Sequence, residues 1–362
     1  MTELVIAITD LARFCHKTGD IDHRFSPSPT GEQGVAGHQR LYSRREPGYH
    51  SEFAVEYRLD EPDLQLVLRG RADGFDASRG LVEEIKTCRV APAAIPEAVS
   101  RMHLAQGRLY AALIARRENL DALEVRLTWY NIDSDEEHGL SQFYSAAELA
   151  EFLAASLKQF SGWLHILADL RRARNQSLLA LDFPHGEFRR GQRELAELTY
   201  KCIDQGGQLL LEAPTGIGKT AAVLFPALKA LATGKHDKVV FVTAKTVGRR
   251  TAEDTLALFV AQGYRGNALS LTAREKICLS PGSACHGDDC PYARGYYDKL
   301  PQAMQAAITA PGLRRHDIEN LAREYVVCPY QLALDLLPWV CLLYTSDAAD
   351  DRPWGGGGGG GG

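Results

Sequence analysis

Gln208–Leu231 reads QLLLEAPTGIGKTAAVLFPALKAL. An apolar run, a glycine-containing turn and an amphipathic stretch follow one another, the pattern of a buried strand, a loop and a helix N-terminus. The loop APTGIGKT has the spacing of a phosphate-binding loop, with Ala213 where the pattern has its first glycine. Gly216 and Gly218 let backbone N–H groups approach phosphate oxygens, and the following helix N-terminus adds partial positive charge. Lys219 is expected to reach the β- and γ-phosphates, and Thr220 to ligate Mg²⁺. The predicted nucleotide-binding set is therefore Ala213, Pro214, Thr215, Gly216, Ile217, Gly218, Lys219 and Thr220, with Lys219 also catalytic.

Downstream, KVVFVTAKT begins a second strand at Lys238, followed by helical VGRRTAEDTLALFVAQ and a third apolar run, ALSLTA. Strands alternating with helices predict a parallel α/β sheet with its ligands at the strands' C-terminal ends. Upstream, FRRGQRELAELTYKCI carries Gln192 ahead of the loop lysine. Beyond the third strand lie Cys278, Cys285, Cys290 and Cys328, spaced Cys-x6-Cys-x4-Cys-x37-Cys. Four soft thiolates hold either zinc or an iron–sulfur cluster, and the spacing lacks the Cys-x2-Cys pairs usual in zinc modules. Cys15, Cys88 and Cys202 have no such partners and are expected to be buried thiols.

The N-terminal half carries different chemistry. LVLRGRADGFDASRGLVEEIKTCR reads as two strands joined by a turn, with Asp73 on the first and Glu84 and Lys86 on the second. Residues two apart share a strand face, so Glu84 and Lys86 point the same way and Asp73 can meet them. Two carboxylates can bind Mg²⁺ or Mn²⁺ and position a water, while a lysine orients the nucleophile or stabilises developing charge. The pattern is short, and acidic strands with a nearby lysine are common on surfaces. Its neighbours strengthen it: His38 follows in GVAGH, and HLAQGRLYAALIA places Gln106 and Tyr110 on one helical face.

The bulk composition frames these motifs. At 362 residues the chain has room for two domains, and 24% charged and 45% hydrophobic residues are ordinary for a globular protein. A net charge of −5 excludes a uniformly basic coat, although RRAR at Arg171–Arg174 and RRGQR at Arg189–Arg193 are local basic stripes. The start, MTELVIAITDLARFCHKTG, lacks a signal-peptide core, and no run has the roughly 20 apolar residues of a membrane span. The expected location is cytoplasmic, with thiols rather than disulfides. Cys341–Gly362, CLLYTSDAADDRPW followed by a glycine run, reads unlike the rest. CLLYTSDAAD back-translates to a transposase-type sequencing adapter, so residues 341–362 are expected to be an artefact without fixed structure and the natural sequence to be interrupted near Val340.

Gln192, APTGIGKT, VTAKT, LTAREKIC and the four cysteines, with CPYARGYYD and REYVVCPYQLAL around the last two, together resemble superfamily-two helicases of the XPD/DinG type. The resemblance runs from Phe188 to about Trp339. It implies ATP and Mg²⁺ as cofactors, adenine recognition by Gln192, and a [4Fe–4S] cluster on Cys278, Cys285, Cys290 and Cys328. It also implies 5′→3′ movement on DNA. His38, GRADGF, EIK and Gln-x3-Tyr resemble RecB-like nucleases of the PD-(D/E)XK group over roughly Leu4–Arg174. That resemblance implies His38, Asp73 and Glu84 as Mg²⁺ or Mn²⁺ ligands and catalytic Asp73, Glu84, Lys86, Gln106 and Tyr110.

The expected architecture is α/β throughout. A PD-(D/E)XK domain occupies 1–174 and a linker 175–187; a RecA-like P-loop domain occupies 188–340, with an iron–sulfur insertion at about 275–330. The expected function is an ATP-dependent helicase fused to a DNA nuclease in repair or recombination, acting on single-stranded, fork or flap DNA and away from membranes; this chain is expected to be a fragment that lacks the DEAH-like motif and the second motor domain and does not hydrolyse ATP. The alternatives are an end- or fork-binding module with an inactive nuclease fold, or an RNA-directed motor, since phosphate contacts carry little base or sugar information.

Overall fold

The computed structural model describes residues 3–22, 24, 29–61, 64–214, 216–244 and 246–346. It divides into two compact units, Met1–His165 and a second beginning at Ile166.

In the first unit, β1 (Glu3–Ala7) runs into α1 (Ile8–His16), and α2 (Gly31–Tyr42) precedes the long hairpin of β2 (Tyr49–Glu61) and β3 (Leu64–Asp76). Next come β4 (Leu81–Cys88), α3 (Glu97–Glu118), β5 (Ala122–Asn131), β6 (Glu136–Ser145) and α4 (Ala146–Ala180), within which the division between units falls. The sheet order is β1-β3-β4-β5-β6, with β2 also on β3. The two strands expected around GRADGF and EIK are β3 and β4. Their turn is closed by Asp76, whose Oδ1 accepts from the Ser78 N–H at 3.0 Å and the Ser78 hydroxyl at 2.7 Å. Gly80 ends it at φ +59, where a side chain would be strained.

Pairing within this sheet is uneven, and that unevenness builds the site. β3 pairs with β1 through Gln65–Arg69 and with β4 only through Gly74–Asp76. β4 pairs with β5 in parallel along its whole length. Beyond Gly74↔Glu83 the β3 and β4 backbones part, leaving a fork with Asp73 on one prong and Glu84 on the other. Two helices cover the two sheet faces. An added Cβ on Gly37 of α2 would fall 2.7 Å from the Thr87 methyl, and one on Gly107 of α3 would fall 2.9 Å from Val125 Cγ1, so both helices lie close on the strands. Ile85 joins Leu41 and Tyr130 beneath α2, while Cys88, Leu127 and Trp129 cluster with Val99 and Leu104 on the other face.

The second unit contains α5 (Gln192–Gln205), α6 (Lys219–Leu231), β7 (Val239–Thr243), α7 (Thr246–Ala261) and β8 (Ala268–Ser270). It continues with α8 (Arg274–Ile277), α9 (Tyr296–Ile308), α10 (Arg315–Tyr325), α11 (Pro329–Leu336) and β9 (Leu342–Ser346). The sheet is wholly parallel in the order β7-β9-β8. Its core joins Leu224, Leu228 and Leu231 of α6 to Leu256 and Phe259 of α7 and to Leu342 and Tyr344 of β9. Residues 175–187, expected as a linker, begin inside α4 and contribute Leu178, Leu181 and Phe183 to buried positions.

Two expectations are corrected here. The apolar run Gln208–Ala213 does not form the buried strand its pattern predicts: Leu209 and Leu211 are exposed, and Leu210 is 99% exposed. An apolar pattern reports that a segment is suited to burial, not which strand it pairs with, and the parallel partner of β7 is β9. The second correction concerns Cys341–Ser346, expected to lack structure. Leu342–Ser346 is the central strand of the sheet, and Cys341 is buried, its N–H donating to Asn267 Oδ1 at 2.9 Å. The physical reason is compositional: LLYT is a short run of apolar and β-favouring residues, and it fits between two parallel strands whatever its origin. The rest of the expected tail, 347–362, lies outside the described residues.

Gly74 offers a test of the fork's base. A Cβ added there would fall 1.7 Å from Tyr49 Oη, which donates to buried Glu83 at 2.8 Å. Gly74→Ala must expel the tyrosine from that bond, at an expected cost of about 2–4 kcal/mol from overpacking and a lost buried hydrogen bond. Urea titration of the full chain should show the unfolding midpoint of the first unit falling; an unchanged midpoint would show that Tyr49 is dispensable.

Candidate functional site

The acidic centre sits in the β3–β4 fork. Asp73 Oδ2 accepts a 2.6 Å hydrogen bond from the Ile85 backbone N–H, so a side chain takes the place of the main-chain partner that β4 loses where the ladder opens. Glu84, opposite Asp73, is 1% exposed; its Oε1 accepts from Lys86 Nζ, and its Oε2 is buried without a hydrogen-bond partner. From α2, His38 Nδ1 stands 3.6 Å from Asp73 Oδ1. The structure thus brings together His38, Asp73, Glu84 and Lys86, as the sequence reading expects.

The adjacent Glu83 shows why one glutamate of the EEIK stretch belongs to the site and the other does not. Successive strand residues face opposite sides. Glu83 faces α2, where Arg45 Nε and Nη2 donate at 2.9 and 2.8 Å, the Tyr49 hydroxyl at 2.8 Å and the Thr128 hydroxyl at 2.5 Å. Its charge is neutralised and its lone pairs are used. Glu84 has a single such partner and an unused oxygen.

The electrostatics follow from burial. Desolvation raises the Asp73 carboxyl above its ordinary value, although Lys86, His38 and the Ile85 N–H pull it back. Burial likewise raises Glu84, opposed by Lys86 and reinforced by Asp73. Burial works against the Lys86 ammonium, but the Glu84 and Asp73 carboxylates outweigh it and raise that group. Acidic oxygens with too little compensating charge, one of them without a partner, are a donor set that suits a hard divalent cation. His38 and Asp73, together with Glu52 of β2, each bring a ligand atom within 4.8 Å of the other two and could hold such an ion, whereas Glu84, expected as a ligand, does not join that trio.

Gln106 and Tyr110, on the buried face of α3, border the same centre. Burial first, then the Glu84 and Asp73 charges, raise the Tyr110 phenol. On the same helix, burial lowers the pKa of His103 to about 3, with help from Lys86. Sequence reasoning missed Glu52 on β2, whose carboxylate lies with His38 and Asp73 so that one ligand atom from each is within 4.8 Å of the others. No local signal marks it, since TyrHisSerGluPhe reads as an ordinary strand.

In the second unit, Gly216 and Gly218 adopt φ +84 and +83, the left-handed backbone a phosphate loop needs, and Gly218 caps α6. Lys219 Nζ donates to the Ala213 and Pro214 carbonyls at 2.9 and 3.0 Å. Ile217 packs beside Gly191, and Thr220 lies half-buried in the first turn of α6. Thr215 lies outside the described residues, as does Lys245 of the VTAKT stretch. Gln192 is buried with both ends of its amide engaged: Oε1 accepts from the Arg189 N–H at 2.9 Å, and Nε2 donates to the Gly218 carbonyl at 3.1 Å. Arg189 itself donates to the Gly216 carbonyl at 2.6 Å. In this arrangement Gln192 and Arg189 brace the loop from outside.

Cys278 caps α8 and Cys328 caps α11, while Cys285 and Cys290 lie on the intervening loop. Burial raises the Cys328 thiol, the Gln331 and Tyr330 N–H groups lower it, and Cys290 and Cys278 are close enough to raise it again. Among the described residues, no three of the four sulfurs gather within 4.8 Å.

Comparison with known proteins bears on the P-loop unit. Residues 190–263 match the family model described as DEAD/DEAH box helicase. A probable ATP-dependent helicase of Methanocaldococcus jannaschii is 44% identical over 78 residues, which are 21% of this chain and 12% of that protein. These matches support a superfamily-two helicase. The matched stretch is thus a small part of the relative's length. The solved structure of SSO0001 aligns at 19% identity and a TM-score of 0.30, over 44% of this chain and 78% of that one. The helicase segment contains the glycine loop, Gln192 and the β7 strand.

If Gln192 acts through the loop, Gln192→Ala should weaken ATP and GTP binding alike, by about tenfold for loss of one or two buried hydrogen bonds. Fluorescent-nucleotide competition measures this. Loss of preference for ATP with unchanged GTP affinity would instead assign Gln192 to the base.

Proposed function

We propose that this chain belongs to a DNA-processing enzyme in which an iron–sulfur helicase motor of the XPD/DinG type is joined to a metal-dependent nuclease of the RecB-like PD-(D/E)XK group. The helicase part rests on the DEAD/DEAH match and the left-handed glycines of the loop. The nuclease part rests on one observation above others: His38, Asp73, Glu84 and Lys86, drawn from a helix and two strands, converge at a fork where a buried carboxylate oxygen is left without a partner.

In this reading Asp73, Glu84 and His38 hold Mg²⁺ or Mn²⁺, which supplies an activated water and charge stabilisation when bound. Lys86, held by Glu84, is positioned to steady the negative charge that develops on a phosphate under attack. Gln106 and Tyr110 keep the carboxylates aligned. The motor would separate strands 5′→3′ using ATP and Mg²⁺ at Lys219 and Thr220, and the nuclease would cut the DNA so exposed, in repair or recombination. In this reading Cys278, Cys285, Cys290 and Cys328 hold a [4Fe–4S] cluster, supported by four free thiols as a soft donor set. No helix among the described residues is long and apolar enough to cross a membrane.

Full-length chain should cleave single-stranded or flap DNA with Mg²⁺ or Mn²⁺. Asp73→Ala should reduce the rate at least about 100-fold, as expected when a catalytic metal ligand or its support is removed, while circular dichroism stays unchanged. Lys219→Ala should retain cleavage and lose nucleotide binding. A folded wild type that binds forks but cuts nothing with either metal would favour a binding module. Preference for RNA would favour an RNA-directed motor.

Protein purified anaerobically should be brown with about four irons per chain, the content of one [4Fe–4S] cluster. Each Cys→Ser change at the four positions should bleach it. Stoichiometric zinc without iron after anaerobic reconstitution would overturn the cluster assignment.

A further inference from the structure

Among the described residues, three strands of the first unit's sheet pair on one side only: β1, β2 and β6. β1 is five residues long, and β2 is broken at Glu52, which leaves the ladder at φ +54. Short or interrupted edges resist further pairing. β6 has neither protection. Its ten residues, EEHGLSQFYS, pair with β5 from Ala122↔Ser145 to Asn131↔Glu136 without a bulge, and they include no lysine or proline. Residues 136–143 are exposed on both faces of the strand. Along its outer side, alternate residues direct backbone N–H and C=O groups outward, in position for another strand.

The side chains of this edge are complementary to themselves. Phe143 is 76% exposed. On the same face Gly139 has no side chain, and Arg126 of β5 lies over it, with Cδ 3.6 Å from where a Cβ would be. Arg126 is fixed there by Glu124 at 2.7 Å and the Ser141 hydroxyl at 3.0 Å. A guanidinium so held offers a flat cationic surface that an aromatic ring can cover. Of the two acids at the start of the strand, Glu137 is already held by Arg44 and Arg45 at 3.3 and 2.9 Å. In an antiparallel pairing of two β6 strands with Ser141 opposite Ser141, Phe143 falls opposite Gly139 of the second copy, beside its Arg126. Leu140 then meets Gln142, His138 meets Tyr144, and Glu137 meets Ser145. No like charges oppose one another.

We propose that β6 is a dimer edge, on which a second copy of this chain pairs β6 to β6, antiparallel about Ser141, and joins the two first-unit sheets into one. The occupant is a second copy because the exposed ring and the place that receives it lie on the same strand, as a two-fold interface requires. A single strand pair is a small interface, so the dimer should dissociate at about micromolar concentrations.

The test combines sedimentation of the full chain over a concentration series with cysteine cross-linking. Wild type should pass from monomer to dimer as concentration rises. Phe143→Ser, which removes only an exposed ring, should melt like wild type and raise the dissociation constant at least about tenfold. Ser141→Cys should cross-link to its own copy on mild oxidation, because directly opposite residues have Cα atoms about 4.5–5.5 Å apart, within disulfide reach. Gly139→Cys alone should not, since its two copies lie about 13 Å apart along the strands, but it should cross-link when mixed with Phe143→Cys. Peptide mapping separates these links from any made by the chain's other thiols. A chain that stays monomeric, leaving the edge to a foreign strand or to water, overturns the proposal. A dimer in which Ser141→Cys forms no link overturns it too, because that dimer uses another surface or register.

Discussion

The hydrogen bond from the Ile85 N–H to Asp73 Oδ2 is the constraint on which the first unit's candidate chemistry depends. A continuous β3–β4 ladder would have used that N–H for a main-chain partner and left Asp73 as one more side chain on a sheet face. Because β3 pairs with β1 through Arg69 and meets β4 only from Gly74 onward, the Ile85 N–H has no ladder partner on β3, and a buried orphan donor costs about 1–3 kcal/mol. The aspartate satisfies it and is thereby fixed within reach of Glu84 and His38. Structure and site chemistry are the same bond seen from two sides.

The helices then determine what the fork can do. Close approach at Gly37 and Gly107 places α2 and α3 on opposite faces, and each contributes different chemistry. α2 brings His38 and Tyr42 to the open end, where a ligand can enter. α3 buries Gln106 and Tyr110 on the other face, and burial raises the charge cost of Asp73 and Glu84. Glu83, one residue from Glu84, is spent on Arg45, Tyr49 and Thr128 and holds α2 and the hairpin in place.

In the second unit, the same logic of backbone satisfaction organises the phosphate loop. Its carbonyls at Ala213, Pro214, Gly216 and Gly218 point to protein donors: Lys219 to the first two, Arg189 and Gln192 to the others. A loop held by its carbonyls presents its N–H groups outward, the polarity an anion requires. One brace, Arg189, lies just before α5, and the other, Gln192, is its first residue.

Much of this was legible in the sequence because it is local. The Gly-x-Gly-Lys-Thr spacing, the Asp73 and Glu84-x-Lys86 hairpin and the i, i+4 pair Gln106 and Tyr110 each lie within one or two elements. Periodicity and residue chemistry are enough to read them. Pairing is not local, and there the sequence was silent or misleading. The run at Leu209–Leu211 has a strand's composition but no ladder, while the adapter-like Leu342–Ser346 supplies the central strand. Glu52 enters the acidic centre only because β2 lies in register on β3 and twists to a positive φ opposite Asp73. Sequence by itself determined which side chains could do chemistry. Tertiary structure decided which of them meet, because a contact across strands depends on register, and register is set by burial across the whole sheet.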